Sequence, residues 1–388
     1  MKKIKYFITF SFIFLFVFII SSCANKNENL KIIDYDIIHE LEFGGVYITD
    51  EIESFNEKGF SYGDSVNVEF SNGYKVKDIP YFNGYYVDAG ETLLVGYPGY
   101  NYIKLSLNYG DDYWFIAGLK EGDKASVYLN QKGKYKDIQD TMNISYYDDR
   151  LKYDSDIEFA NYRMVSNGKI KPNILFRGAS PCDNKHQRAM YVDSLIENDK
   201  VNYIVDLADT KEKIEAYMQK DDFKSYYFKK LYERNTVLLS AIPHEKVMPL
   251  AMNMNYKSDE FRLKMVDGFK SMLKFNGPYY IHCQEGKDRT GFVLIVIEAL
   301  MSSTYKEIVD DYMLTYKNYY KITQETDPLR YNIIKERNVD TMLRFLVNDD
   351  TKKIDEINDY SEYIKKYLKA GNMTIEEIEA FINLFKIN

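Results

Sequence analysis

A chain of 388 residues exceeds what one ordinary core organises, so a targeting segment plus two domains is the starting expectation. Its 45% hydrophobic and 28% charged content is that of a globular protein, and a formal net charge of -8 argues against a chain built to neutralise a phosphate backbone; no nucleic-acid partner is expected. Three cysteines and four histidines point neither to a disulfide-stapled mini-domain nor to a clustered metal-ligand set, so no metal and no other cofactor is expected.

The chain opens on Lys2, Lys3 and Lys5, followed by an apolar run from Ile8 to Ile20 broken only by Thr9 and Ser11. A charged start before a short apolar run is an export signal. Ile20-Ser21-Ser22-Cys23 then resembles the lipobox of bacterial lipoproteins, which implies lipidation of Cys23 and an extracytoplasmic, membrane-anchored protein. The competing expectation is an uncleaved anchor, because the apolar stretch approaches the ~20 residues that a span requires. Residues 1–23 are thus expected to be a lipoprotein signal peptide and 24–39 a tether.

From 40 to 146 the pattern is all-β. Val66, Val68 and Phe70 alternate with polar residues, and Asn72-Gly73 interrupts before Tyr74 and Val76 resume. Asn-Gly suits the two positive φ angles of a type I′ hairpin turn. Asn83-Gly84 repeats the device, and Glu121-Gly122-Asp123 precedes the alternating Ala125, Val127 and Leu129. A small β-sandwich or barrel is expected. The stretch from Gly63 to Tyr102 resembles a β-barrel domain that accompanies some bacterial adenosyl-transferring enzymes, without any motif that carries chemistry. Tyr100, Tyr102, Tyr109, Tyr113 and Trp114 suit either an aromatic platform for a glycan or peptide or the filling of a small core, and the core is favoured.

From 147 to 388 the rhythm becomes that of an α/β domain, a largely parallel sheet flanked by helices. Strands are expected at Ile174 to Arg177, Val201 to Leu207 and Tyr279 to His282; helices at Lys185 to Glu197, Lys211 to Gln219 and Asp259 to Phe275; and extended segments at Tyr226 to Leu231 and Thr236 to Leu239. Everything after Arg289 reads as helical, ending in a helix that Thr374 and Glu377 open as a capping box.

The decisive segment runs His282-Cys283-Gln284-Glu285-Gly286-Lys287-Asp288-Arg289-Thr290-Gly291, from an apolar strand into an apolar helix. The amino end of such a helix presents unpaired N-H groups and the positive pole of its dipole to an anion. A thiol held there is driven toward thiolate, which makes Cys283 a candidate nucleophile. Arg289 returns to the same turn, and its planar guanidinium can hold two phosphoryl oxygens. The residues between them, Gln284, Glu285, Gly286, Lys287 and Asp288, can wrap a tetrahedral dianion with successive N-H groups, Gly286 allowing the close approach. Thr290 can donate its hydroxyl to the sulfur, and His282 can orient the loop.

His-Cys-x-x-Gly-x-x-Arg-Thr-Gly resembles the signature of the protein tyrosine phosphatase superfamily, and Gly286-Lys287-Asp288-Arg289-Thr290-Gly291 resembles a bacterial branch of tyrosine and dual-specificity phosphatases, some of which accept phosphoinositides. Asn161-Tyr162-Arg163, Phe176-Arg177-Gly178-Ala179 and Val205-Asp206-Leu207 resemble further segments of that branch. Met164 and Ala208 depart from it, standing where an Asp and an Arg are usual. The resemblance implies a tyrosine-phosphatase-like catalytic domain behind the small all-β domain, acting through a phosphocysteine on a phosphorylated protein or, alternatively, on an inositol phosphate or phosphoinositide. It also implies Asp288 as the proton donor, with Asp206 and Asp209 as alternates. Lys287 adds positive charge at the mouth or is simply solvated, and Glu285 opposes a dianion. Cys182 could pair reversibly with Cys283, a plain buried thiol being the other reading, and His244 could sit on the rim. Sulfur transfer by a rhodanese-like loop fits the spacing poorly. A surface lipoprotein that binds a phosphorylated or glycan ligand without turnover is the reading from another class.

Overall fold

In the computed structural model, residues 30–233 and 247–386 are described. The export signal, Cys23, the expected segment at Thr236 to Leu239 and His244 lie outside them. Among the described residues no helix is long and apolar enough to cross a membrane.

The first seven strands are β1 (Lys31–Glu40), β2 (Gly45–Glu51), β3 (Ser65–Phe70), β4 (Lys75–Phe82), β5 (Thr92–Val95), β6 (Tyr102–Leu107) and β7 (Lys124–Gln131), and they close into a barrel in the order β1-β2-β6-β5-β4-β3-β7. The barrel therefore starts well inside the expected tether. Within β1 only Ile32 and Glu40 are buried, so its sequence lacks the alternation that would have marked it as a strand. The β3-β4 hairpin forms as expected, but not through a type I′ turn: Gly73 alone takes a positive φ, 92°. Asn72 instead accepts from the Tyr74 amide through Oδ1 and donates through Nδ2 to the Ala117 carbonyl, an Asx turn in place of a mirror-image one. Asn83-Gly84 makes no hairpin. Asn83 is bonded to the Gln139 side chain, and the chain crosses over so that β5 runs parallel to β4.

A second, five-stranded sheet is ordered β11-β10-β12-β9-β8, from β8 (Arg163–Met164), β9 (Leu175–Gly178), β10 (Tyr203–Asp206), β11 (Val247–Pro249) and β12 (Tyr279–His282). All neighbours are parallel except β8 with β9. Each face carries its own core. Val205, Ile281 and Leu175 pack with the helices Asp259–Met272 and Asp288–Leu300, whereas Ile204, Tyr280 and Phe176 pack with Ala189–Asn198 and Tyr226–Glu233. The last of these helices replaces the extended segment expected from Tyr226. Asp193 accepts the amides of Tyr227 and Phe228, which caps the turn, and Phe228 and Leu231 bury one face at helical spacing. The segment from Thr290 to Leu300 is buried throughout, in keeping with an almost wholly apolar run whose only charge is Glu298. After it the chain is helical to Phe385, and Thr374 and Glu377 form the expected capping box.

Candidate active site

Parallel pairing brings Gly178, Asp206 and His282 to one level at the carboxyl ends of β9, β10 and β12. In an open α/β sheet that edge is where ligands bind. Cys283 follows at once, 3% exposed, and the loop then turns into the helix that begins at Asp288.

The loop is held from outside by its carbonyls. Gln284 O accepts from the Ser180 amide at 3.1 Å. Glu285 O accepts from Tyr319 Oη at 2.8 Å and Asn161 Nδ2 at 3.3 Å, and Gly286 O accepts from Arg177 Nη2 at 2.8 Å and Asn161 Nδ2 at 3.2 Å. In a trans peptide the N-H points opposite to the C=O of the same unit. Carbonyls turned outward therefore turn the amides of Glu285, Gly286 and Lys287 inward, where they meet the unpaired amides of the helix's first turn. The result is a cup of N-H groups around the space above Cys283. Gly286 sits at φ +66°, and a Cβ there would lie 2.2 Å from the Gly178 carbonyl oxygen, so only glycine fits.

The brace behind the cup is ionic. Arg177 and Arg163, both buried, share the carboxylate of Asp311, at 2.5 Å from Arg177 Nη1 and 2.6 Å from Arg163 Nε, and Arg163 Nη1 also donates to Asn161 Oδ1 at 2.9 Å. The sequence marked Asn161, Arg163 and Arg177 only as pieces of a resemblance. An arginine at the end of an apolar strand was the one signal that they carry a structural load.

Around the rim, Arg289 donates through Nη1 to the Met252 carbonyl at 2.9 Å; no acceptor is found among the described residues for its Nη2 and Nε. Lys287 Nζ lies 3.4 Å from Glu285 and 3.7 Å from Asp288, so its charge is shared between two carboxylates, and Glu285 is further tied by Tyr146 Oη at 2.7 Å. The opposition expected from Glu285 is thereby largely neutralised. Desolvation works against its ionised form, yet Lys287 and the Tyr146 hydroxyl hold its carboxyl below the usual range. Gln284 does not face the cup but donates to Asp183 Oδ2 at 2.7 Å. Among the described residues no hydrogen-bond partner is found for the buried Thr290 hydroxyl, the Cys283 sulfur included.

The proton-donor candidates separate by access. Asp206 and Asp209 are sealed beneath the loop, and desolvation raises each from 3.8 to about 6. Asp288 is at the mouth, its side chain 48% exposed within a deep recess that raises its carboxyl above the ordinary value, chiefly by desolvation. The loop from Leu250 to Ser258, which covers Arg289, contains no carboxylate. His282 is fully buried and driven down to about 4, again by desolvation; its neutral ring reaches the Cys283 carbonyl through Nδ1 at 3.2 Å, a positioning contact.

Cys182 and Cys283 are both free thiols, so the disulfide considered from sequence is not formed here. Cys182 faces Ser180 Oγ at 3.4 Å, and its sulfur groups with carboxylate oxygens of Asp206 and Asp209, all within 4.8 Å of one another. Among the described residues that trio is the one set of donors that could hold a cation, but burial pushes the Cys182 thiol well above its ordinary value and favours the protonated forms of all three.

A buried thiol at a strand end, a cup of amides at a helix terminus and an arginine on the rim define, together with the fold, a cysteine-based phosphatase. The family model described as "Tyrosine phosphatase family" matches residues 158–385, more than half of the chain, and the chain belongs to that family. Among solved structures, an uncharacterized conserved protein from Thermotoga maritima is 24% identical over 26% of this chain and 37% of its own, with a TM-score of 0.22; the match thus spans well under half of that protein. The core catalytic domain of the PP-IP phosphatase SIW14 from S. cerevisiae is 18% identical over 48% of this chain and 95% of its own, with a TM-score of 0.25. No curated protein matches the chain.

Proposed function

We propose that this protein hydrolyses phosphate monoesters through a phosphocysteine on Cys283, acting as a protein tyrosine or dual-specificity phosphatase. The observation that carries the reading is the orientation of the loop: carbonyls bonded outward, amides inward, with Cys283 at its start and Arg289 on the helix turn at its end. The Cys283 thiolate attacks phosphorus as the bond to the leaving oxygen breaks, and Asp288 gives that oxygen its proton. The loop amides and Arg289 hold the three remaining oxygens as charge builds on them. Water then attacks phosphorus, the S-P bond breaks, and Asp288 takes the proton of the water.

Lys287 beside the cup supports the alternative of an inositol phosphate or phosphoinositide substrate. The non-catalytic alternative predicts phosphate binding without turnover. Full-length protein assayed on an aryl phosphate, on phosphopeptides and on phosphoinositide vesicles, beside Cys283→Ser, tests all three. Turnover lost in Cys283→Ser is expected, and equal rates for the two proteins would remove the mechanism.

Export and lipidation at Cys23 belong to the same proposal, supported by the charged, apolar and Ser-Ser-Cys pattern of the first residues. The catalytic domain would then work outside the cytoplasm on a lipid-anchored chain. Cys23→Ala should move the protein from the membrane to the soluble fraction, and unchanged fractionation would remove the anchor.

A further inference from the structure

The catalytic loop opens into a cavity of about 820 Å³ with one wall made by the barrel. Tyr97, Tyr100 and Tyr109 line it from the barrel side, and Met254, Lys287 and Asp288 from the catalytic side. Its charged lining residues balance, Lys287 and Arg337 against Asp88 and Asp288, and Lys287 is already engaged by Glu285 and Asp288. Such a chamber suits one phosphoryl group carrying a neutral, flat, apolar body. It offers little to a substrate with many phosphates, which would need a surplus of cations.

Tyr109 is the barrel residue best placed to read that body. The residue is 49% exposed while it lines the cavity. Its backbone stands at φ +50°, a region that a tyrosine rarely adopts and that tends to persist where function requires it. Asn255 Nδ2 holds this conformation by donating to the Tyr109 carbonyl at 2.9 Å. Asn255 belongs to the loop whose Met252 carbonyl grips Arg289, and the next residues of that loop, Tyr256 and Lys257, bind Asp88 of the barrel at 2.7 and 2.5 Å. One loop thus sets the registry of Tyr109 against Arg289. Asp288 lines the same cavity as Tyr109, and the Tyr109 phenol is raised mainly by desolvation, with smaller influences from the charges of Asp288 and Arg289.

We infer that the barrel completes the substrate pocket and that Tyr109 is a specificity-determining residue, packing its ring against the aromatic leaving group of an aryl phosphate, in a polypeptide a phosphotyrosine. This rests on the phosphatase reading and names its substrate class. The ring supplies contact area and an edge or face for aromatic pairing, whereas the short carbon chain of a phosphoserine does not reach it.

Two substitutions separate the ring from the fold. Tyr109→Asn removes the ring but tolerates the positive φ, and Tyr109→Phe keeps the ring and loses only the hydroxyl. For Tyr109→Asn, the ratio of kcat/KM on a phosphotyrosine peptide to that on a phosphoserine peptide of the same sequence should fall about tenfold, mainly through KM. 4-Nitrophenyl phosphate should lose by a similar factor, and Tyr109→Phe should stay within about twofold of wild type. Loss of equal size on both peptides, or no loss, would overturn the assignment.

Binding of the phosphotyrosine peptide to full-length Cys283→Ser, measured by calorimetry with and without Tyr109→Asn, makes the comparison without turnover. A Kd weakened about tenfold supports the inference and an unchanged Kd overturns it, whether or not the wild-type protein hydrolyses the peptide. Tighter binding of a phosphoinositide vesicle than of the phosphotyrosine peptide would also overturn it.

Discussion

Arg177 Nη2 donates to the carbonyl oxygen of Gly286 at 2.8 Å, and that single bond joins the end of β9 to the back of the phosphate cup. It fixes the direction of the amide of Lys287, because that amide shares its peptide unit with the Gly286 carbonyl. Since Arg177 is 1% exposed and also bonded to Asp311, removing it leaves a buried carboxylate with Arg163 alone. Breaking a buried pair of this kind costs about 3–5 kcal/mol. Arg177→Met should therefore lower stability by an amount of that order in urea unfolding, and should lower kcat at temperatures where the protein is still folded. A variant with wild-type kcat would mean that the cup keeps its shape without the brace.

Gly286 is the other half of the contact. Its φ of +66° and the 2.2 Å approach of a Cβ to the Gly178 carbonyl both bar a side chain, and the obstacle is backbone in the central sheet, which cannot swing aside. The loop must move instead. A displacement of about 1 Å at a reacting centre costs roughly 10²-fold in rate. Gly286→Ala should show a loss of that size in kcat/KM, with a smaller effect on the melting temperature than Arg177→Met has.

The strand, loop and buried helix of this site were legible because their signal is local: an apolar run, a string of loop residues at set offsets, then a second apolar run. The cup's outer supports were not. Tyr319, Asn161 and Ser180 reach the loop across long stretches of sequence, and the Met252 carbonyl that holds Arg289 is backbone, which no residue letter records. The barrel was legible where Val66, Val68 and Phe70 alternate and illegible in β1, where Asp34 at φ +57° marks an irregularity in the pairing with β7. The helix from Tyr226 was misread because its cap, Asp193, lies on another helix. Tyr109 appeared in the sequence as one of five candidate platform aromatics. Of those, Tyr113 and Trp114 went to the barrel core, and Tyr100 and Tyr109 to the cavity.

Asp288 should reveal itself through the leaving group. A general acid contributes typically 10²–10⁴-fold, and most where the departing oxygen is basic. Asp288→Asn should reduce kcat on a phosphopeptide by roughly 10²-fold or more, yet reduce it far less on 4-nitrophenyl phosphate, whose phenolate leaves readily. Because desolvation raises this carboxyl, its acid form persists to higher pH than an ordinary aspartate's, and activity should fall as pH rises through its pKa. That limb should vanish in the Asn variant. Equal losses on both substrates would point to a positioning defect.

Asp206 and Asp209 give the folded chain a pH dependence of its own. Each is buried, each has one oxygen without a partner among the described residues, and desolvation lifts both from 3.8 to about 6, with the charge of Asp206 adding to the shift of Asp209. Their pKa values are higher folded than unfolded, so between these values the folded state binds more protons and unfolding free energy falls as pH rises. The stabilisation is complete below the unfolded value and is lost as pH passes about 6. Each carboxyl contributes a slope of at most about 1.4 kcal/mol per pH unit, and interacting groups share the transition. Asn at position 206 is neutral and can still accept the amides of Ala208 and Asp209, now made at 2.9 and 3.2 Å. Asp206→Asn should therefore equal or exceed wild type in urea unfolding at about pH 8, and the wild-type gain on going to about pH 5 should shrink. A wild-type protein that loses stability over that same descent would show that these two carboxyls are already ionised in the fold.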